Sequence, residues 1–214
     1  MQERYFDVLE GTLMGLPEIQ LGRGLWQNCH HCYDVYDHSR ITGRNLIETG
    51  DGNLVAAGCL HDLGKPMTAM PVLTDEGYIE LCPGVLCHTF PKHGEAGAYL
   101  LRKRKPELFE QLNLNQESVA LLVEYHNTPL GIIKSLDASS QENLSDSLET
   151  AEKLLEGVPV DRMDLFQLFK ADTVAKGKVC QDCTLLLKAA EFLSGNGSIS
   201  RKDLYGSLNS SKIR

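Results

Sequence analysis

Leu54-Val55-Ala56-Ala57-Gly58-Cys59-Leu60 runs without a break into His61-Asp62-Leu63-Gly64-Lys65-Pro66. Seven apolar residues in succession leave a helix no polar face, so this one must be buried on every side. It carries His61 and Asp62 straight into the interior. A buried carboxylate without a partner costs several kcal/mol or gives up its charge, so a cation is expected beside Asp62.

Helical periodicity extends outward in both directions, over about 2–14, 30–49, 53–64, 93–104, 116–127, 144–156, 161–176 and 181–194. Asp161 reads as the N-cap of its helix, with Asp164 a second acid in the first turn. Extended structure is expected only at 70–82, where Met70-Pro-Val-Leu-Thr and Tyr78-Ile-Glu-Leu flank Asp75-Glu-Gly77 as a short hairpin over one end of a helical body. Ser135 to Ser147, rich in Ser, Asn, Asp and Gln, reads as a surface loop, and 202–214 as a frayed tail. The fold class is therefore all-α. At about 150 residues per domain, 214 residues make a single domain over 1–214.

The 21 basic against 29 acidic residues give a net charge of −8, which argues against a grip on nucleic-acid backbone. The longest apolar runs are too short to span a bilayer, and the N-terminus lacks the pattern of a secretory signal. Seven cysteines, an odd number, favour reduced thiols and a cytoplasmic setting. Cys29-His-His-Cys32 and Cys180-Gln-Asp-Cys183 have metal-like spacing, but 147 residues separate the pairs, so packing as small apolar groups is the better reading.

The histidines carry the chemistry. His126 follows Val119, Leu122 and Val123 on one helical face. Asp172 stands likewise to Leu165, Leu168 and Phe169. His93 opens a helix whose inner face continues with Ala96, Gly97 and Leu100, and His38 shares a face with Val35 and Ile41. A single inward histidine is usually a hydrogen-bonded core residue. Four helices each aiming His or Asp inward, beside His61-Asp62, point to a metal, because imidazole with carboxylate suits divalent ions between bundle helices.

Gly58-Cys-Leu-His61-Asp62-Leu-Gly-Lys65-Pro66 resembles the signature of the HD-domain superfamily of metal-dependent phosphohydrolases. Further stretches are similar to the HD domain attached to bacterial tRNA nucleotidyltransferases and poly(A) polymerases. These are His31-Cys-Tyr-Asp-Val-Tyr-Asp-His38-Ser39, Phe90-Pro-Lys-His93-Gly-Glu-Ala-Gly97-Ala98, Val123-Glu-Tyr-His126 and Lys170-Ala-Asp172, with an insertion near 82–90. The nucleotide-transferring domain of those enzymes is absent, so the resemblance implies a freestanding, all-helical HD domain that hydrolyses a phosphoester. It also implies one divalent ion (Mn, Mg, Fe, Co, Ni or Zn) on His38, His61, Asp62 and Asp172. A second and weaker site would use His93 and His126, with Asp62 bridging.

Around that centre, Asp62 acts with the metal-activated water, and Lys65 is expected to contact a phosphate oxygen. His31, seven residues before His38, is expected to face the same cleft as substrate contact or proton donor. His30 and His88 have weaker claims, with His88 the rival of His93. The expected partner is a nucleotide or another small phosphorylated metabolite, not a membrane or a nucleic acid. Two alternatives compete: an oxygenase holding two irons on the same six ligands, and a non-catalytic binding module.

Overall fold

The computed structural model describes residues 2–104, 106–137, 144–177 and 191–192. In chain order its helices are α1 (Gln2–Met14), α2 (Pro17–Gln20), α3 (Val35–Arg44), α4 (Gly52–Leu60), α5 (Lys65–Thr68) and α6 (His93–Arg104). Then follow α7 (Pro106–Gln111), α8 (Gln116–Tyr125), α9 (Thr128–Asp137), α10 (Leu144–Glu156) and α11 (Arg162–Ala175). The apolar run forms α4, and α1, α3, α8 and α11 pack around it. Every residue from Leu54 to Leu60 is buried, in a core shared with Leu9, Leu101, Val119 and Leu168. The all-α expectation holds.

Local chemistry sets the helix starts. Asp34, Asp51, Asn115 and Asp161 each turn a side-chain oxygen back to accept a backbone N–H of the first turn, which satisfies donors the helix leaves open. Asp161 caps as its sequence context predicts. Asp34 corrects the expected helix over 30–49. Because it caps α3, the helix begins only at Val35, and the preceding segment is tied instead to α11, with Cys32 N–H donating to the Lys176 carbonyl at 2.9 Å. The helix read over 53–64 likewise ends at Leu60, and a turn separates it from the short α5.

Two further expectations need correction. The segment from Thr128 to Asp137, outside every expected helix and running into the expected loop at Ser135, is α9: Ile132 and Ile133 bury against Phe166 and Phe169 in a second apolar cluster. The hairpin at 70–82 is only part of a larger β cap. Strand β1 (Met70–Pro71) pairs with β6 (His88–Thr89), β2 (Leu73–Thr74) with β3 (Gly77–Tyr78), and β4 (Glu80–Cys82) with β5 (Val85–Leu86), all antiparallel. The three ladders meet where Ile79 N–H donates to the Val72 carbonyl, Val72 N–H to that of Cys87 and Cys87 N–H to that of Ile79. Gly84, at φ +79°, makes the second turn that returns the chain against β1.

Within the described residues, no helix is long and apolar enough to cross a membrane. The tail at 202–214, most of the helix expected over 181–194, and Cys180 and Cys183 lie outside the described residues.

Candidate metal centre

Five elements converge on one buried cluster. His61 is the C-terminal cap of α4 and Asp62 follows it; His126 caps α8 in the same way. His93 is the first residue of α6, His38 lies within α3, and Asp172 lies within α11. Close backbone approach makes the convergence possible. Gly58 on α4 faces Gly43 on α3 so tightly that an added Cβ would sit 2.9 Å from the Gly43 Cα, and a Cβ on Gly64 would collide with the His93 carbonyl.

Three of the imidazoles are oriented by the same device. The Nδ1–H of His61 donates to the Gly58 carbonyl at 2.8 Å, that of His93 to Phe90 at 2.7 Å and that of His126 to Val123 at 2.6 Å. Each acceptor lies three residues earlier in the chain. A neutral ring that gives up its Nδ1–H in this way presents an Nε2 lone pair, the form in which histidine binds a metal. The Nε2 atoms then meet head-on: His61 to His38 at 3.3 Å and His93 to His126 at 3.1 Å. Two lone pairs at that distance repel unless a proton or a cation stands between or beside them.

The donors fall into two sets. Nε2 atoms of His38 and His61 with a carboxylate oxygen of Asp172 lie within 4.8 Å of one another, and so do Asp62, His93 and His126. Asp62 faces both. Its Oδ2 is 3.3 Å from His61 Nε2 and 3.7 Å from His38 Nε2, while Oδ1 is 3.4 Å from His93 Nε2 and 3.9 Å from His126 Nε2. That Oδ1 is buried and accepts no hydrogen bond. An orphaned buried carboxylate oxygen among imidazole lone pairs is what a divalent cation would satisfy, so the residues fit a metal.

The local charges agree. Burial alone would raise the Asp62 pKa, yet His61 and Lys65 hold it well below the ordinary carboxylate range. Burial also pushes Asp172 up, and Lys176 and His38 bring it well below its usual value. His61 is drawn down by burial, but Asp62 outweighs this and raises it. Burial and the neighbouring His61 and His93 push His126 down to about 3, which keeps it neutral.

The remaining sequence candidates separate. Lys65 is buried on the first turn of α5, with Nζ donating to Asp62 Oδ2 at 2.7 Å and to Gln27 Oε1 at 2.5 Å. His31 reaches the cluster from the segment before α3, its ring edge-on to His38 at 5.0 Å between centroids. Burial, with His38 and Lys65 nearby, pushes it down to about 2, and its Nδ1–H donates to Asn28 Oδ1 at 2.9 Å. With its one proton engaged by Asn28, the neutral His31 ring offers Nε2 as an acceptor. His88 stands apart on β6, its Nδ1–H donating to the Trp26 carbonyl at 3.0 Å, and His30 is exposed.

Three residues at the centre escape a sequence reading. Gln27 has no periodic pattern around it. Asn127 places its amide nitrogen 3.0 Å from His93 Nε2 and 2.9 Å from His126 Nε2, and only its position after His126 hints at this. Lys176 follows Asp172 by one helical turn, with Nζ 3.9 Å from Asp172 Oδ2; that spacing was the available signal. A cavity of about 530 Å³ opens beside His93 and Asn127, lined also by Phe90, Lys92, Tyr125 and Thr128. A larger one of about 690 Å³, between Asn45 and Gln167, contains no histidine, so the smaller is the one that adjoins the chemistry.

An all-helical body that gathers inward-facing His and Asp side chains at a buried, metal-competent centre defines a class of protein. The family model of the HD domain matches residues 29–168, and the chain belongs to that family, part of a superfamily of metal-dependent phosphohydrolases. Asp172 lies just past the matched span. No curated protein matches the chain.

Proposed function

We propose that the protein is a phosphomonoesterase or phosphodiesterase that hydrolyses a nucleotide or another small phosphorylated metabolite. The observation that carries this reading is Asp62, whose two carboxylate oxygens each face a different pair of imidazoles. His38, His61 and Asp172 with Asp62 Oδ2 would hold one divalent ion; His93 and His126 with Asp62 Oδ1 would hold a second. Manganese, magnesium, iron, cobalt, nickel and zinc all suit such donors. When bound, such ions supply Lewis acidity that makes water a nucleophile near neutral pH and offsets phosphoryl charge.

The chain's own groups do the rest. The three Nδ1–H donations to backbone carbonyls hold the imidazoles in register before any substrate arrives. Lys65, whose Nζ donates to Asp62 Oδ2 and Gln27 Oε1, would offer its ammonium to a phosphoryl oxygen. His31 presents a free Nε2 as acceptor toward the substrate or its water. The cavity of about 530 Å³ at Asn127 has the size of a small-molecule pocket and would receive the remainder of the substrate.

Closeness to the HD domains of tRNA nucleotidyltransferases belongs to this proposal and rests on the five quoted motifs; a cytoplasmic setting rests on the odd cysteine count. The test is a panel of phosphorylated metabolites and cyclic nucleotides assayed with each of the six metals in turn. Phosphate release that depends on added metal is expected. No release from any substrate, with two irons and dioxygen uptake instead, would move the protein to the oxygenase alternative.

A further inference from the structure

Two lysines stand over the centre, and a metal needs neither. Lys65 Nζ bonds Asp62 Oδ2 at 2.7 Å from one side, and Lys176 Nζ lies 3.9 Å from Asp172 Oδ2 on the other. Their side chains are only 9% and 13% exposed, far less than lysines in a solvated i,i+4 pair. His38 Nε2 joins the two carboxylates, 2.8 Å from Asp172 Oδ1 and 3.7 Å from Asp62 Oδ2, so both ammonium groups border the same set of donors. Both also bear on the neutral His31.

The charges can be counted. Asp62 and Asp172 contribute two negative charges, and Lys65 and Lys176 two positive ones. Glu124, on the rim of the cavity, is taken by Arg102 at 2.7 Å. These side chains are thus balanced on their own. Each divalent ion then adds two positive charges and takes up carboxylate oxygens that now serve as the lysines' counter-ions. Two nearly buried ammonium groups left without counter-ions are costly, even with Gln27 still accepting from Lys65, and an anion carrying two charges relieves both.

Resting on the phosphohydrolase reading, we infer that the centre selects a phosphomonoester dianion over a phosphodiester, with Lys65 and Lys176 receiving its non-bridging oxygens and Lys176 determining specificity. A diester has one negative charge and an ester group where the second anionic oxygen would be, so it leaves one lysine uncompensated.

The test uses the full chain saturated with manganese and titrated calorimetrically at pH 8 with inorganic phosphate, mostly dianionic there, and with dimethyl phosphate, a monoanion. Phosphate is expected to bind about tenfold or more tightly than dimethyl phosphate, the scale of one charge-assisted contact. Lys176→Met should lose about tenfold for phosphate while leaving dimethyl phosphate and the bound-metal count nearly unchanged, and Lys176→Arg should restore most of the loss. Helical content of each variant, read by circular dichroism, shows that the fold survives. Equal binding of the two anions, or phosphate affinity indifferent to Lys176→Met, overturns the inference and leaves a phosphohydrolase. Failure of the manganese-loaded protein to bind either anion overturns both readings.

Discussion

At Asp62 a charge is placed where the fold alone does not fully satisfy it. Lys65 covers Oδ2, but Oδ1 is buried without a hydrogen bond and faces His93 and His126. The roles proposed above make distinct demands on metal stoichiometry. Titrated with manganese, the parent should reach two ions and Asp62→Asn close to none, because the Asp62 carboxylate serves both sets, one oxygen to each. The Asn variant's activity should fall beyond the roughly 10- to 100-fold typical of losing an outer hydrogen-bond partner. His93→Ala should retain one ion, and His88→Ala both, since His88 is engaged with the Trp26 carbonyl. Loss of an ion in His88→Ala with none in His93→Ala would transfer the second site. A parent that never exceeds one ion would remove the paired arrangement.

Between elements, the spacing of α3 and α4 decides whether imidazoles from separate helices meet. Gly58 sets it, for a Cβ there would lie 2.7 Å from Leu46 Cδ1 as well as against Gly43, and the Gly58 carbonyl also holds His61 Nδ1–H. Gly58→Ala should therefore cost about 1–3 kcal/mol by overpacking, and weaken metal binding by shifting His61 away from His38. Gly11, in α1 with open space around it, provides the contrast: Gly11→Ala should gain up to about 1 kcal/mol from helix propensity alone. Urea unfolding of both variants without added metal checks the pair. Unfolding midpoints that move together, in either direction, would show that the α3–α4 approach is not set by this glycine.

Over the molecule as a whole, α1 is clamped to α3 at Glu10, whose carboxylate accepts from Arg40 Nε at 2.6 Å and from Arg44 Nε at 2.8 Å. Burial pushes Glu10 up, but the two guanidinium groups outweigh it and bring its pKa below the ordinary value. A carboxyl depressed by folding contributes stability above its unfolded pKa and loses it as pH falls through the folded one. Glu10→Gln should thus cost about 1 kcal/mol at pH 7, modest because both arginines are half exposed. The gap to the parent should narrow once the pH drops below about 4.3. Urea midpoints measured stepwise from pH 7 downward check this, and a gap that stays constant would refute the clamp. At this same scale the two sources of information divide. The buried α4, its His61-Asp62 terminus, the Asp161 cap and the inward faces bearing His38, His93, His126 and Asp172 were legible in the sequence, because apolar periodicity and capping are local properties of a chain. Helix α9 was not, since Pro129 and Gly131 interrupt its helical pattern until Phe166 and Phe169 offer Ile132 and Ile133 a surface. Nor was the three-ladder β cap, whose outer pairing depends on a turn at Gly84 returning the chain to β1. Which oxygen of Asp62 faces which imidazoles, and that Gln27, Asn127 and Lys176 border them, only the tertiary structure decided. Contacts among residues more than 100 positions apart, as between His38 and Asp172, are set by how helices pack, and no local pattern records that.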